Sequence, residues 1–110
     1  MRAYLIDEIS SSDMERARHY LMSRAEASPL EGLFWLQVPK RLLTGIHLEH
    51  TQCQPYCVAI ETGAHFVRFE LLVRSRANHR CSCSSYASEE QRQFVIEFAE
   101  ELLRELSIET

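Results

Sequence analysis

Apolar residues recur every three or four positions at both ends of this chain, and every second position through its middle. In residues 12–27, Met14, Ala17, Leu21 and Ala25 keep helical spacing, and Ser12 followed by Glu15 fits a capping box. Pro29 forbids continuation and pushes Ser28 out of the α region. The last helix, residues 89–106, sets Val95, Phe98, Ala99, Leu102, Leu103 and Leu106 opposite Glu97, Glu100, Glu101 and Glu105. Ser88 and Gln91 supply a second capping box at its start.

Between the helices, residues 33–38 read as a strand by their aromatic and branched content, ended by Pro39. A second strand spans 56–61, and Thr62-Gly63 then turns the chain into the longest one, 65–74. Asn78 marks a turn before a fourth strand, 80–86. The expected fold class is α+β, a four-stranded antiparallel meander with the N- and C-terminal helices packed on one face. The order is α-β-β-β-β-α, with a short extra N-terminal strand at residues 3–6 on an edge. At 110 residues, the span 1–110 is expected to form a single globular domain. Residues 43–55 keep no clear period; so long a loop in a compact domain is often functional, or holds a short helical turn.

Composition narrows the classes further. With 45% hydrophobic and 25% charged residues, the chain resembles ordinary soluble globular proteins. A net charge of −4 and a pI near 5.7 argue against a general nucleic-acid binder. The one basic stretch, 74–80, reads as a solvated hairpin tip, since no glycine-rich nest or helix start accompanies it. No apolar run approaches the roughly 20 residues of a membrane span. The first residues also lack the apolar stretch of a signal peptide, so a cytoplasmic location with reduced thiols is expected.

All four cysteines fall between positions 53 and 83. His47, His50 and Cys53 share helical spacing, and with Cys57 beyond Pro55 they form the candidate metal set, zinc being the implied ion. Cys81 and Cys83 are further donors, although the spacings match no paired Cys-x-x-Cys signature. On a straight strand His79, Cys81 and Cys83 share a face, yet at about 3.3 Å per residue His79 and Cys83 stand about 13 Å apart. The same alternation turns Cys57 to the opposite side of the sheet. Cys81 and Cys83 are therefore expected to pack as small hydrophobes beneath a helix. Thiol catalysis would centre on Cys53 and require a depressed pKa there. With no nucleophile motif, phosphate-cradling loop or dinucleotide fingerprint, an enzyme is not the expected class.

The outward positions of the long strand, Phe66, Arg68, Leu72 and Arg74 among them, mix apolar and charged residues. The leading expectation is thus an interaction or regulatory module without a cofactor. It binds a protein partner, or itself as a homodimer, through Phe66, Arg68, Leu72 and Arg74 on an open sheet face. The second reading is a metal-binding or redox-responsive protein using the central cysteine and histidine cluster. A thiol-dependent enzyme ranks third.

Overall fold

The structure, a computed structural model, describes residues 2–78 and 80–110, so His79 lies outside it. Among the described residues, seven strands and three helices follow in the order β1 (Ala3–Ile6), α1 (Ser11–Arg24), β2 (Glu26–Ala27), β3 (Leu33–Gln37), α2 (Gly45–Glu49), β4 (Tyr56–Thr62), β5 (Val67–Glu70), β6 (Leu72–Ser75), β7 (Ser85–Tyr86) and α3 (Glu89–Leu106). Short 3₁₀ turns at Lys40–Leu42 and Thr51–Cys53 flank α2. The class is α+β, with an antiparallel sheet in the order β1-β5-β4-β3-β2. No helix among the described residues is long and apolar enough to cross a membrane.

The terminal helices cover one face. Met14, Ala17 and Leu21 of α1 and Val95, Ala99 and Leu102 of α3 share one core with Phe34, Leu36, Val58, Ile60, Val67, Phe69 and Val73 of the sheet. The start of α1 lies two residues ahead of the expected one. Ser10, not Ser12, accepts the Asp13 N–H and caps the helix. Ser10 with Asp13 repeats the capping spacing, and it also places Ile9 before the cap and Met14 on the fourth helical position, both in the core as a staple. The helix stops at Arg24, because Glu26 and Ala27 gain ladder bonds to Trp35 and Phe34. The Ser88–Gln91 capping box and the bounds of α3 agree with the sequence pattern.

The long third strand is divided. β5 pairs with the end of β4 (Ile60 opposite Phe69) and β6 with its beginning (Cys57 opposite Arg74), which shifts the register by two residues around Leu71. At Leu71 the strand changes outer neighbours: its N–H bonds Arg2 of the β1 side, while its carbonyl takes the N–H of Ala87 beyond β7. The fourth strand shrinks to Ser85–Tyr86. Asn78 ends the extended run before it, accepting the Arg80 N–H on its side chain and the Cys81 N–H on its carbonyl. Residues 80–84 are therefore not a strand, and the straight-strand placement of Cys81 and Cys83 on one face does not apply; the expected spacing from His79 lies outside the described residues.

Candidate metal centre

Residues 43–55, lacking a strong period, fold as two short turns that bring histidine and cysteine to the start of β4. Thr44 and His47 cap α2 reciprocally, with the Thr44 N–H donating to His47 Nδ1 at 3.2 Å. Because that N–H can only donate, the neutral ring carries its proton on Nε2, which faces Ser85 Oγ at 3.2 Å. The ring is fully buried 4.5 Å from the Tyr56 ring, and its pKa is lowered, first of all by burial. His47 thus joins the two ligand-bearing loops, with both ring nitrogens engaged. At His50 the helix ends, with φ −97° and ψ 61°.

The His50 carbonyl accepts the Cys53 N–H at 2.9 Å and the Tyr56 hydroxyl at 3.3 Å, closing the turn that carries Cys53. Ser75 then binds the two loops to each other: its buried hydroxyl donates to the Cys53 carbonyl and accepts the Asn78 N–H at 2.9 Å. From the turn begun at Asn78, Cys81 meets His50, sulfur to Nδ1, at 3.1 Å.

One ligand atom each from His50, Cys53, Cys81 and Cys83 lies within 4.8 Å of the others. This is the only such convergence of three or more histidine, cysteine or carboxylate groups among the described residues. A tetrahedral zinc ion with Zn–S near 2.3 Å would set its sulfurs about 3.8 Å apart, so the set needs only a small contraction to hold one. Cys53 and Cys83 are buried, whereas Cys81 and His50 are half-buried. A polar cleft of about 300 Å³, lined by Glu49, His50, Thr51, Gln52 and Cys53, opens against the cluster.

The thiols are coupled electrostatically. Cys81 is lowered to about 7, chiefly by a hydrogen bond with the Cys83 side chain, then by the Cys83 backbone N–H, Cys53 and His50. Cys53 is pushed up to about 11, chiefly by its hydrogen bond with Cys81. Burial, followed by contact with Cys83, also raises Tyr56. Donors from Cys83, Cys53 and His50 favour the thiolate at Cys81, and a charge there opposes ionisation of Cys53. The depression that a Cys53 nucleophile needs therefore falls on another residue.

Of the set His47, His50, Cys53 and Cys57, the structure brings His50 and Cys53 to the cluster and leaves the other two outside. Cys57 lies in β4 between Gln37 and Arg74, on the sheet face away from the helices. Its buried thiol is raised by desolvation, against the lowering effect of Arg76. Cys83 is buried in the core and Cys81 packs against it, as expected of small hydrophobes, and because residues 80–84 turn both also converge with His50 and Cys53. The signal was present in their proximity in sequence, but the alternation of Cys81 and Cys83 with polar residues imitates a strand.

The outer sheet face is partly self-covered. Arg74 pairs with Glu70 at 2.6 Å, and Arg76 pairs with Glu26 at 2.8 Å while lying 5.0 Å over the Trp35 ring. Two cations of the basic 74–80 stretch are thereby neutralised within the chain. Arg68, Leu72 and Arg74 stand half-buried on this face, and Leu5, opposite Arg68, is half-exposed. Phe66 precedes β5 in the hairpin turn, with its ring so close to Gly63 that a Cβ there would overlap it. No family model matches the chain, and no curated protein and no solved structure matches it.

Proposed function

We propose that this chain is a zinc-binding protein in which His50, Cys53, Cys81 and Cys83 hold one ion. The convergence of three thiols and an imidazole from two separate loops carries the reading. Three sulfurs and one nitrogen make a soft tetrahedral set that suits zinc, and four protein ligands make a closed, structural site. The groups around the cluster support it, since Ser75 and His47 each bridge the two loops and fix their approach without occupying the site. A reducing compartment such as the cytoplasm suits the four cysteines, all of them free thiols.

The ion's role is local. Both terminal helices and β3 to β6 already share an apolar core, so zinc would fix residues 43–54 and 80–84 against the sheet and leave the rest unchanged. In that sense the protein is a small interaction or regulatory scaffold whose functional end is shaped by metal. Elemental analysis of untagged protein, paired with native thiol counting, tests the assignment. About one zinc per chain, with Cys53, Cys81 and Cys83 shielded until chelator is added, is the expected outcome. Protein that takes up no zinc from a micromolar solution overturns it.

A second reading concerns the face that no helix covers. Arg68, Leu72 and Arg74 stand there with the half-exposed Leu5, and Phe66 borders them in the turn, a mixed surface suited to a protein partner or a second copy. Light scattering across a concentration series tests the homodimer. A dimer that Arg68→Glu dissociates supports this reading, and a monomer at every concentration removes it.

A further inference from the structure

Three sulfurs share a volume small enough for one ion, and they differ in access. Cys81 is half-buried, whereas Cys53 and Cys83 are buried. The polar cleft lined by Glu49, His50, Thr51, Gln52 and Cys53 also brings small hydrophilic molecules to this edge of the cluster. A peroxide can therefore reach the cluster, where Cys81 is the least buried of the three thiols and a second thiol waits within 4.8 Å.

We propose that Cys81 and Cys53 form a peroxide-sensitive pair whose oxidation to a disulfide expels the zinc ion. The regulation rests on the zinc reading above for its release step, whereas the pairing rests on the sulfurs alone. Cys81 thiolate attacks one oxygen of hydrogen peroxide, giving Cys81 sulfenic acid and hydroxide. Cys53 thiolate then displaces hydroxide from that sulfur, and the S–S bond forms. Two thiolates, one peroxide and two protons become one disulfide and two waters; the peroxide is reduced and the two sulfurs are oxidised. Zinc loses two of its four ligands and leaves through the His50 side.

Cys53 is the resolving thiol and Cys83 is not, for a geometric reason. Cys83 follows Cys81 by two positions within the same turn, so both sulfurs come from one loop. That turn holds the two sulfurs as neighbouring ligands, and bridging them would require the backbone to bend again. Cys53 comes from the opposite loop, with Ser75 tying its carbonyl to Asn78 at the root of the Cys81 turn. A Cys53–Cys81 bridge therefore replaces the metal as the link between the same two loops.

The test uses the zinc-loaded full chain, its metal content measured first, treated with increasing hydrogen peroxide beside a chromogenic zinc indicator. Unreduced peptides are then mapped by mass spectrometry. The expected result is release of the bound zinc in step with loss of two hydrogens per chain. A linked Cys53–Cys81 peptide should appear, and dithiothreitol should reverse both changes. Cys57→Ser should leave the result unchanged, and Cys83→Ser should still form the bridge. Cys53→Ser should lower the yield of any bridge at least tenfold and leave a dimedone-reactive Cys81. Zinc retained through tenfold excess peroxide overturns the proposal. So does release with Cys81 carried to sulfinic acid, or a bridge formed at Cys83 or Cys57. If the starting protein holds no zinc, the zinc reading has failed, and the peptide map on that same protein still decides the Cys53–Cys81 pairing.

Discussion

The middle of the sheet and its cysteine end are held by different forces. In the middle, Val58, Ile60, Val67 and Phe69 are wholly buried in one apolar core with Met14, Leu21, Val95 and Leu102. The buried polar side chains among the described residues are His47, Ser75 and Gln91. Each belongs to the other end: His47 with Thr44 and Ser85, Ser75 with Cys53 and Asn78, and Gln91 with Leu42 and Ser88. Apolar burial is non-directional and tolerates rearrangement, whereas a buried hydrogen bond demands a particular partner. The middle therefore supplies stability, and the cysteine end supplies a defined arrangement of ligands.

The contrast is broken most severely from the apolar side. Phe69 is fully buried against Tyr4 and Phe98, with ring centroids 6.5 and 6.2 Å away. Phe69→Ala should cost about 3–5 kcal/mol. Urea denaturation should give the same loss with zinc and with chelator, and a loss confined to one condition would show that the two regions are not separable.

Metal removal comes next. At free zinc about 100 times its dissociation constant, binding contributes about 2.7 kcal/mol. Chelation, or Cys83→Ser, should remove that increment and weaken zinc binding at least tenfold. Hydrogen exchange should quicken in residues 43–54 and 76–86 and stay slow in β4 and α3. Uniform loss of protection would mean that the ion supports the whole fold.

Ser75 tests the link between the loops. Ser75→Ala leaves the Cys53 carbonyl and the Asn78 N–H without their shared partner, at a cost of about 1–3 kcal/mol. Its signature should be a lowered zinc affinity together with lowered stability, measured by competition with a fluorescent chelator. A stability loss with unchanged affinity would confine Ser75 to packing.

These two regions differ in legibility for the same physical reason. Periodicity reports burial on one face, so α3, β3 and β4 could be read from Val95, Ala99 and Leu102 or from Phe34 and Val58. The Ser10 cap was harder to find because Ser10 with Asp13 and Ser12 with Glu15 share one spacing, and only the docking of Ile9 and Met14 separates them. The metal candidates depended on where helices and strands stop. His47 and His50 are equivalent in sequence until the α2 helix ends between them. Cys81 and Cys83 look like strand residues until Asn78 bends the chain. Neither turn is encoded by a periodic pattern, and the partnership of the two loops is a tertiary fact.

His47 gives a smaller, pH-dependent effect. Burial lowers its folded pKa below the unfolded value. Below about pH 6.5 the unfolded chain therefore takes up a proton that the folded chain refuses, and stability falls as pH falls, until the folded imidazole itself protonates. Cys81, lowered to about 7, also loses its contribution on acidification, but at higher pH. In chelator, the difference between the wild-type and His47→Gln stability profiles isolates the imidazole. It should shrink between pH 7 and pH 5, and a constant difference would mean that His47 titrates alike in both states.

The smallest effect lies on the uncovered face. Arg74 approaches one Glu70 oxygen through two nitrogens, at 2.8 and 2.6 Å. Residues four apart on a straight strand stand about 13 Å apart along the chain, so this pair is favoured by the two-residue register shift at Leu71. Because the Arg74 side chain remains 35% exposed, the pair should contribute less than about 1 kcal/mol and weaken with salt. A double-mutant cycle with Arg74→Gln and Glu70→Gln measures the coupling. If it rises with protein concentration, a second copy is excluding water from the pair and the sheet face is an interface. If it stays constant, small and salt-sensitive, the pair faces solvent within the monomer.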